Sequence, residues 1–362
     1  MTRWFSPTSL QFSSSSWNQS RFRSKTIPST KYRHVKHYRL LKEIAHGSTC
    51  IVYLALDTKS RKLYALKEMN LKRLQRQNHM DWLQARHPKH QQQHDGIKRR
   101  RIEPFSPILA SANQIESDIL HSLHHDNIVE WVDCFEDSNN LYLVTEWVDG
   151  SVLVDLHHEQ TNESDNRQDF SAHSIFIQLV DVLDHLHERN IIHGDIKPDN
   201  VLLTKNKQIK LIDFGSAIKL NATDNNSKNN DDGIMKKAFH RRRTLAFLPP
   251  ECIKKETTTA HHDIATVIHY ETAADIWSLG MTLYCMVYGK LPFHYSTNST
   301  NKQMDVYHLL QNFTTVPHNN SPTIDPQLCH LIDQMLNVSP LERITLKQIK
   351  RHPWYLGTTT TT

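Results

Sequence analysis

One stretch constrains this chain more than any other. It is Ile191-Ile-His-Gly-Asp-Ile-Lys-Pro-Asp-Asn200-Val-Leu-Leu203, followed shortly by Ile212-Asp-Phe-Gly215. The first piece is a compact loop with an acid, a base and an amide at fixed offsets, running into an apolar strand. The second places another carboxylate on a glycine-flanked turn. Phosphoryl transfer from a nucleotide uses this set of groups. One carboxylate orients an acceptor hydroxyl and takes its proton. A carboxylate and an amide oxygen suit Mg²⁺, a hard cation that prefers oxygen ligands. A lysine neutralises charge growing on the transferred group. Each residue alone reads as surface decoration; the order and spacing make the signal specific.

This stretch resembles the catalytic loop and the metal-binding DFG motif of eukaryotic protein kinases. The other motifs of that family follow in order along the chain. Ile44-Ala-His-Gly47-Ser-Thr-Cys50-Ile-Val52 is similar to the Gly-rich loop, and Tyr64-Ala-Leu-Lys67 to the strand lysine motif. Glu116 precedes Leu123, His125-Asp-Asn-Ile-Val129, the place of the lysine's ion-pair partner. Leu141-Tyr-Leu-Val-Thr-Glu-Trp-Val148 resembles the hinge strand, with Thr145 as gatekeeper. Leu248-Pro-Pro-Glu251 stands where APE belongs, and Arg343 is placed to pair with Glu251. Asp275-Ile-Trp-Ser-Leu-Gly280 resembles the buried helix that anchors the catalytic loop.

The resemblance implies an α+β, bilobal protein kinase fold over residues 38–355. Its N-lobe, 38–148, is a small antiparallel sheet with one main helix; its C-lobe, 149–355, is larger and mostly helical. It also implies roles. Asp195 is the catalytic base, Lys197 steadies the γ-phosphoryl, and Asn200 and Asp213 bind Mg²⁺. Lys67, held by Glu116, contacts the α- and β-phosphates of ATP. Ile44, Val52, Ala65 and Leu202 clamp the adenine, and the backbones of Glu146 and Val148 bond to it. Ala45, His46, Gly47, Ser48, Thr49 and Cys50 form the phosphate-covering loop. Lys197, two residues after Asp195, and Thr244 point to the Ser/Thr branch and a protein substrate.

Within that branch the chain is most similar to the calcium/calmodulin-dependent protein kinase kinases and their fungal relatives, which phosphorylate activation loops of other kinases. The similarity rests on the basic insert after Lys67, Gly150-Ser-Val, Thr244-Leu-Ala-Phe-Leu and Ala274–Phe293. No calmodulin-binding segment is recognisable after His352-Pro-Trp354, so control by calmodulin is not expected.

Two departures bear on activity. Ala45 and Cys50 replace two glycines of the Gly-rich loop, where a bare backbone approaches phosphate. Cys50 is expected to loosen ATP binding or cap the rate. Gly194 replaces the arginine that in many kinases receives a phosphorylated residue of the activation segment. Activity is therefore expected not to depend on phosphorylation of that segment. These departures motivate the alternative of a pseudokinase scaffold. Lys67, Glu116, Asp195, Asn200 and Asp213, all intact, oppose it.

Around this frame lie polar, mostly basic segments: an unfolded Ser-rich tail over 1–36 (an organelle transit peptide shares its composition), inserts at 71–107, 221–243 and 256–270, and a tail at 356–362. The triplet Arg241–Arg243 could dock acidic residues in cis or on a substrate, but reads better as a solvated charge run. A net charge of +5 is too mild to imply nucleic-acid binding. No apolar run reaches the ~18 residues of a membrane helix. Five scattered cysteines without a CxxC pair argue for a reducing compartment, the cytoplasm. Lys98–Arg101 resembles a nuclear localisation signal, though an exposed loop reads as well. A monomer is expected.

Overall fold

The computed structural model describes residues 32–47, 50–73, 108–154, 171–220, 243–253, 264–293, 302–318 and 324–357. The tail to residue 31, Ser48 and Thr49, most of the 71–107 insert with Lys98–Arg101, residues 221–242 and 254–263, and the last five residues lie outside them. The chain divides into two compact units.

The first unit is a six-stranded antiparallel sheet with one described helix. Its strands are β1 (His34–Val35), β2 (Tyr38–His46), β3 (Cys50–Asp57), β4 (Leu63–Asn70), β5 (Trp131–Glu136) and β6 (Asn140–Glu146), in the order β1-β2-β3-β4-β6-β5. Helix α1 spans Ile108–His121. Register fixes the faces, because side chains alternate along a strand and paired residues share a side. Leu66 pairs with Tyr53 and Val144, and Ala55 with Tyr64. That face holds a core of Tyr38, Leu40, Ala55, Leu66, Tyr142 and Val144. Val52 pairs with Lys67, and Ala65 with Thr145, on the opposite face.

Strand β1 corrects the N-terminal boundary, since it lies inside the stretch read as an unfolded tail. Two residues cannot hold a strand by propensity. Arg33 supplies the reason: it binds Glu68 with Nη1 2.8 Å from Oε2 and reaches the Tyr142 hydroxyl at 3.2 Å. Strand β2 also runs on through Ala45 and His46, which read as loop. Ala45 pairs with Val52 and His46 with Ile51, after a bulge between Glu43 and Ala45. An alanine in place of glycine keeps the ladder going.

The second unit, residues 122–130 and 148–357 where described, is mostly helical. Helices α2 (Ala172–His187), α3 (Pro250–Ile253), α4 (Ile264–Tyr288), α5 (Lys302–Gln311), α6 (Pro326–Met335), α7 (Leu346–Ile349) and α8 (Pro353–Leu356) surround two small sheets. One joins β7 (Gly150–Val152), β9 (Val201–Thr204) and β10 (Ile209–Leu211); the other joins β8 (Ile191–Ile192) and β11 (Ile218–Lys219). Ile128 bridges to Leu211 of β10, and the Val129 amide, whose residue has a strand-like apolar neighbourhood, donates to the Leu211 carbonyl at 3.0 Å instead of joining β5. That contact leaves β5 to begin at Trp131.

Helix α4 is the axis of this unit. From Ala273 to Cys285 nearly every side chain is buried, as expected of a helix apolar all round. Gly280 lets α6 approach: a Cβ there would lie 2.9 Å from Cβ of Met335. The helix begins at Ile264, so the insert read over 256–270 ends earlier than its polar composition suggested. The polar composition belongs to 256–263; the first turns of the helix already carry Ile264, Ala265, Val267 and Ile268.

Candidate active site

The first unit holds a lysine and its anchor. Lys67 lies mid-strand on β4, on the face shared with Val52, Ala65 and Thr145. Nζ of Lys67 is 2.7 Å from Oε1 of Glu116, projected from α1. Both are largely shielded, with Glu116 at 5% exposure. Ile44 sits within the bulge of β2, and Glu146 ends β6 opposite Tyr64. The β2–β3 turn closes with the Gly47 amide donating to the Cys50 carbonyl at 2.8 Å. The Cys50 sulfur lies against Gly47, 2.9 Å from where a Cβ would stand.

The second unit gathers the acid, the amide and the second lysine on one loop. Strand β8 feeds it, and Asp275 of α4 grips it. Asp275 accepts from the His193 amide at 3.0 Å, the Gly194 amide at 2.8 Å and His187 Nε2 at 3.0 Å. Burial pushes the Asp275 carboxyl up, but the His187 bond and its neighbours outweigh that and hold it below the usual range. Buried in this way, the carboxylate fixes the loop backbone leading into Asp195.

Asp195 is held from three sides. Its Oδ2 accepts from Lys197 Nζ at 2.7 Å and Asn200 Nδ2 at 3.1 Å, and its Oδ1 from the Thr244 amide at 2.9 Å. Lys197 also donates to the Thr244 hydroxyl at 2.6 Å. Burial pulls the Lys197 ammonium down, but the charge of Asp195 and their bond, helped by Asp213 and Asp199, keep it raised and therefore protonated. The Asn200 amide donates to the Asp195 carbonyl at 2.8 Å. A carbonyl only accepts, so nitrogen faces Asp195 and the amide oxygen faces away.

Asp213 follows Ile212, whose amide donates to the Asn200 carbonyl at 2.9 Å. Asp213 has φ +62, a left-handed backbone that a non-glycine residue adopts at some cost. Phe214 is fully buried edge-on to His193, with ring centroids 4.8 Å apart. Leu202 lies on β9, between Lys210 and Val152, in the same unit as Val148. Asn200 and Asp213 are hard oxygen donors on adjoining segments, a donor set that fits a divalent cation of the Mg²⁺ type.

Glu271 escaped sequence reasoning, and Arg243 read better as solvated than as docked. Arg243 is not part of a solvated run: its side chain is 6% exposed and ion-paired to Glu271, itself 5% exposed. The insert read to 243 therefore stops short of it. Arg241 and Arg242 lie outside the described residues. The sequence signal was indirect, the missing side chain at Gly194. Further on, Arg343 forks onto Glu251, with Nη1–Oε1 2.7 Å and Nη2–Oε2 2.9 Å, and donates to the carbonyls of Ala273 and Asn337.

Residues 83–355 match the protein kinase domain family, and the chain belongs to it. That span begins after Lys67, so β1–β4 lie before it. Similarity to two individual proteins covers more of the chain. A calcium/calmodulin-dependent protein kinase kinase of Caenorhabditis elegans is 30% identical over 90% of this chain and 54% of its own length. The serine/threonine-protein kinase cds1 of Schizosaccharomyces pombe is 28% identical over 90% of this chain and 59% of its own. Serine/threonine-protein kinase GRIK2 of Arabidopsis thaliana is 28% identical over 72% and 56%. The chain spans between half and three fifths of the length of these relatives.

Proposed function

We propose that this chain is an ATP-dependent serine/threonine protein kinase that phosphorylates activation loops of other kinases. The observation that carries the catalytic part is the three-sided hold on Asp195 by Lys197, Asn200 and Thr244. A carboxylate whose lone pairs are so aimed is a positioned base rather than a surface acid.

In the reaction, the acceptor oxygen bonds to the γ-phosphorus while the bond from that phosphorus to the β,γ-bridging oxygen breaks. Asp195 orients the acceptor hydroxyl and takes its proton. Lys197, kept charged, neutralises the equatorial oxygens in transfer. Thr244 links both side chains, through its amide and its hydroxyl. Asn200 and Asp213 would hold Mg²⁺, which offsets the negative charge of the phosphates. Lys67, fixed by Glu116, is assigned the α- and β-phosphates. Val52, Ala65 and Leu202 supply apolar surface for adenine.

The upstream role draws on the relative named a kinase kinase. It is tested by offering labelled Mg·ATP with two acceptors: a generic basic protein and an inactive kinase carrying an intact activation loop. Label should appear on serine and threonine, never tyrosine, and favour the kinase acceptor at least about tenfold, or 1.4 kcal/mol in the barrier. Equal labelling of both acceptors would end the upstream assignment, and label on tyrosine would end the Ser/Thr assignment.

A further inference from the structure

Gly194 and Arg243 are spatial neighbours. A Cβ built on Gly194 would lie 3.5 Å from Nε of Arg243 and 3.0 Å from the Ser216 carbonyl. Gly194 also has φ +78, a backbone conformation that side chains avoid. The loop position that lacks an arginine side chain therefore has one beside it, delivered from the activation segment.

The guanidinium has a carboxylate partner within the fold. Arg243 pairs with Glu271 on the first turns of α4, and its Nη1 lies 3.9 Å from the Cys252 sulfur. A kinase switched by phosphate keeps an arginine waiting for an anion that arrives by modification. Here the anion is a carboxylate of the fold itself. The pair is one peptide unit from the Thr244 amide that bonds Asp195. On the far side of Thr244, Ser278 of α4 donates its hydroxyl to the Phe247 carbonyl at 3.0 Å. The segment is pinned to α4 on both sides of Thr244.

We propose that Arg243 and Glu271 are positioning residues that stand in for a phosphorylated activation segment, holding Thr244 against Asp195 and Lys197 in the unmodified chain. The inference rests on the kinase reading above. It explains how a catalytic loop with glycine at 194 is ordered without a phosphate receptor. Breaking one half of a buried pair strands a charge, so both halves are best removed together.

The test compares the wild-type chain with the double variant Arg243→Met/Glu271→Leu, with Glu271→Gln as a milder single change. Three quantities are read: kcat, KM for ATP, and hydrogen exchange at the Thr244 amide. In the folded double variant kcat should fall at least about tenfold, KM for ATP should move less than about threefold, and Thr244 exchange should quicken at least about tenfold. Phosphatase-treated wild type should keep its rate within about twofold.

A folded double variant with wild-type kcat overturns the inference, as does a tenfold loss on dephosphorylation. If the double variant does not fold, Glu271→Gln decides: a threefold or greater loss of kcat supports the inference, and a smaller change overturns it. A wild type no more active than Asp195→Asn would overturn the kinase reading, and the catalytic part of this inference with it. Thr244 protection would then report on the anchoring alone, and unchanged protection in the double variant would overturn that too.

Discussion

Gly194 donates its backbone amide to Asp275 at 2.8 Å, and that bond joins the loop that carries Asp195 to the central helix of its unit. The other oxygen of the same carboxylate serves the His193 amide and His187. Asp275→Asn keeps the size but replaces one acceptor oxygen with a donor. One buried N–H then faces an N–H, at a cost of about 1–3 kcal/mol. The variant should unfold at lower denaturant, and its phosphoryl-transfer rate should drop at least about tenfold as Asp195 loses its seat. Unchanged stability and rate together would show that the grip is ornamental.

Cys50 puts a sulfur where the loop passes Gly47. The family resemblance gives this turn to the phosphates, whose close approach favours a bare backbone. Cys50→Gly should lower KM for ATP by about threefold or more without raising kcat in proportion. A higher KM would mean that the sulfur stiffens the turn rather than obstructing it.

Arg343 and Glu251 form a bidentate pair in which the arginine side chain has no exposed surface. Removing one partner leaves an uncompensated buried charge. Arg343→Met should therefore cost about 3–5 kcal/mol, read as a shift in the denaturation midpoint. A loss below about 1 kcal/mol would place the pair among ordinary surface bridges.

His352 caps α8: its Nδ1 accepts from the Trp354 amide at 3.3 Å, and its Nε2 lies 2.9 Å from Nδ1 of His330. Burial, and then the neighbouring His330, hold its pKa below the ordinary value of 6.5. The unfolded chain thus takes up this proton first as pH falls. Its stabilisation is complete above pH 6.5 and is lost as pH drops toward the lowered folded value. His352→Asn keeps a capping oxygen and removes the titration. Below pH 6.5 the variant should lose stability less steeply than wild type, by up to about 1.4 kcal/mol per pH unit. Parallel slopes would exclude His352 as a source of acid sensitivity.

Chemistry-bearing residues were legible where local spacing carries them. Asp195, Lys197 and Asn200 lie within six residues of one loop, so their mutual bonds are nearly a property of that segment. Lys67 and Glu116 are far apart in sequence, and it was the family resemblance, not periodicity, that paired them. Arg243 was misread because its surroundings decide its role. A run of arginines is ordinarily solvated, and only the space at Gly194 and the carboxylate of Glu271, 28 residues on, make it a buried anchor. Strand β1 was missed for a similar reason: Arg33 reaches across 35 residues to Glu68. The start of α4 was hidden because the polar run 256–263 directly before it drew its first turns, Ile264 to Tyr270, into the insert. Local pattern marks an element; a tertiary partner sets its limits.

Transfer of labelled γ-phosphate from Mg·ATP to a serine- or threonine-containing protein, wild type beside Asp195→Asn, is the most direct test of the catalytic reading. Wild type should label the acceptor, and the variant should lose about 10²–10⁴-fold of that rate while remaining folded, as removal of a positioned base entails. Equal labelling by the two proteins, or none by a folded wild type, would contradict Asp195 as the base of an active kinase.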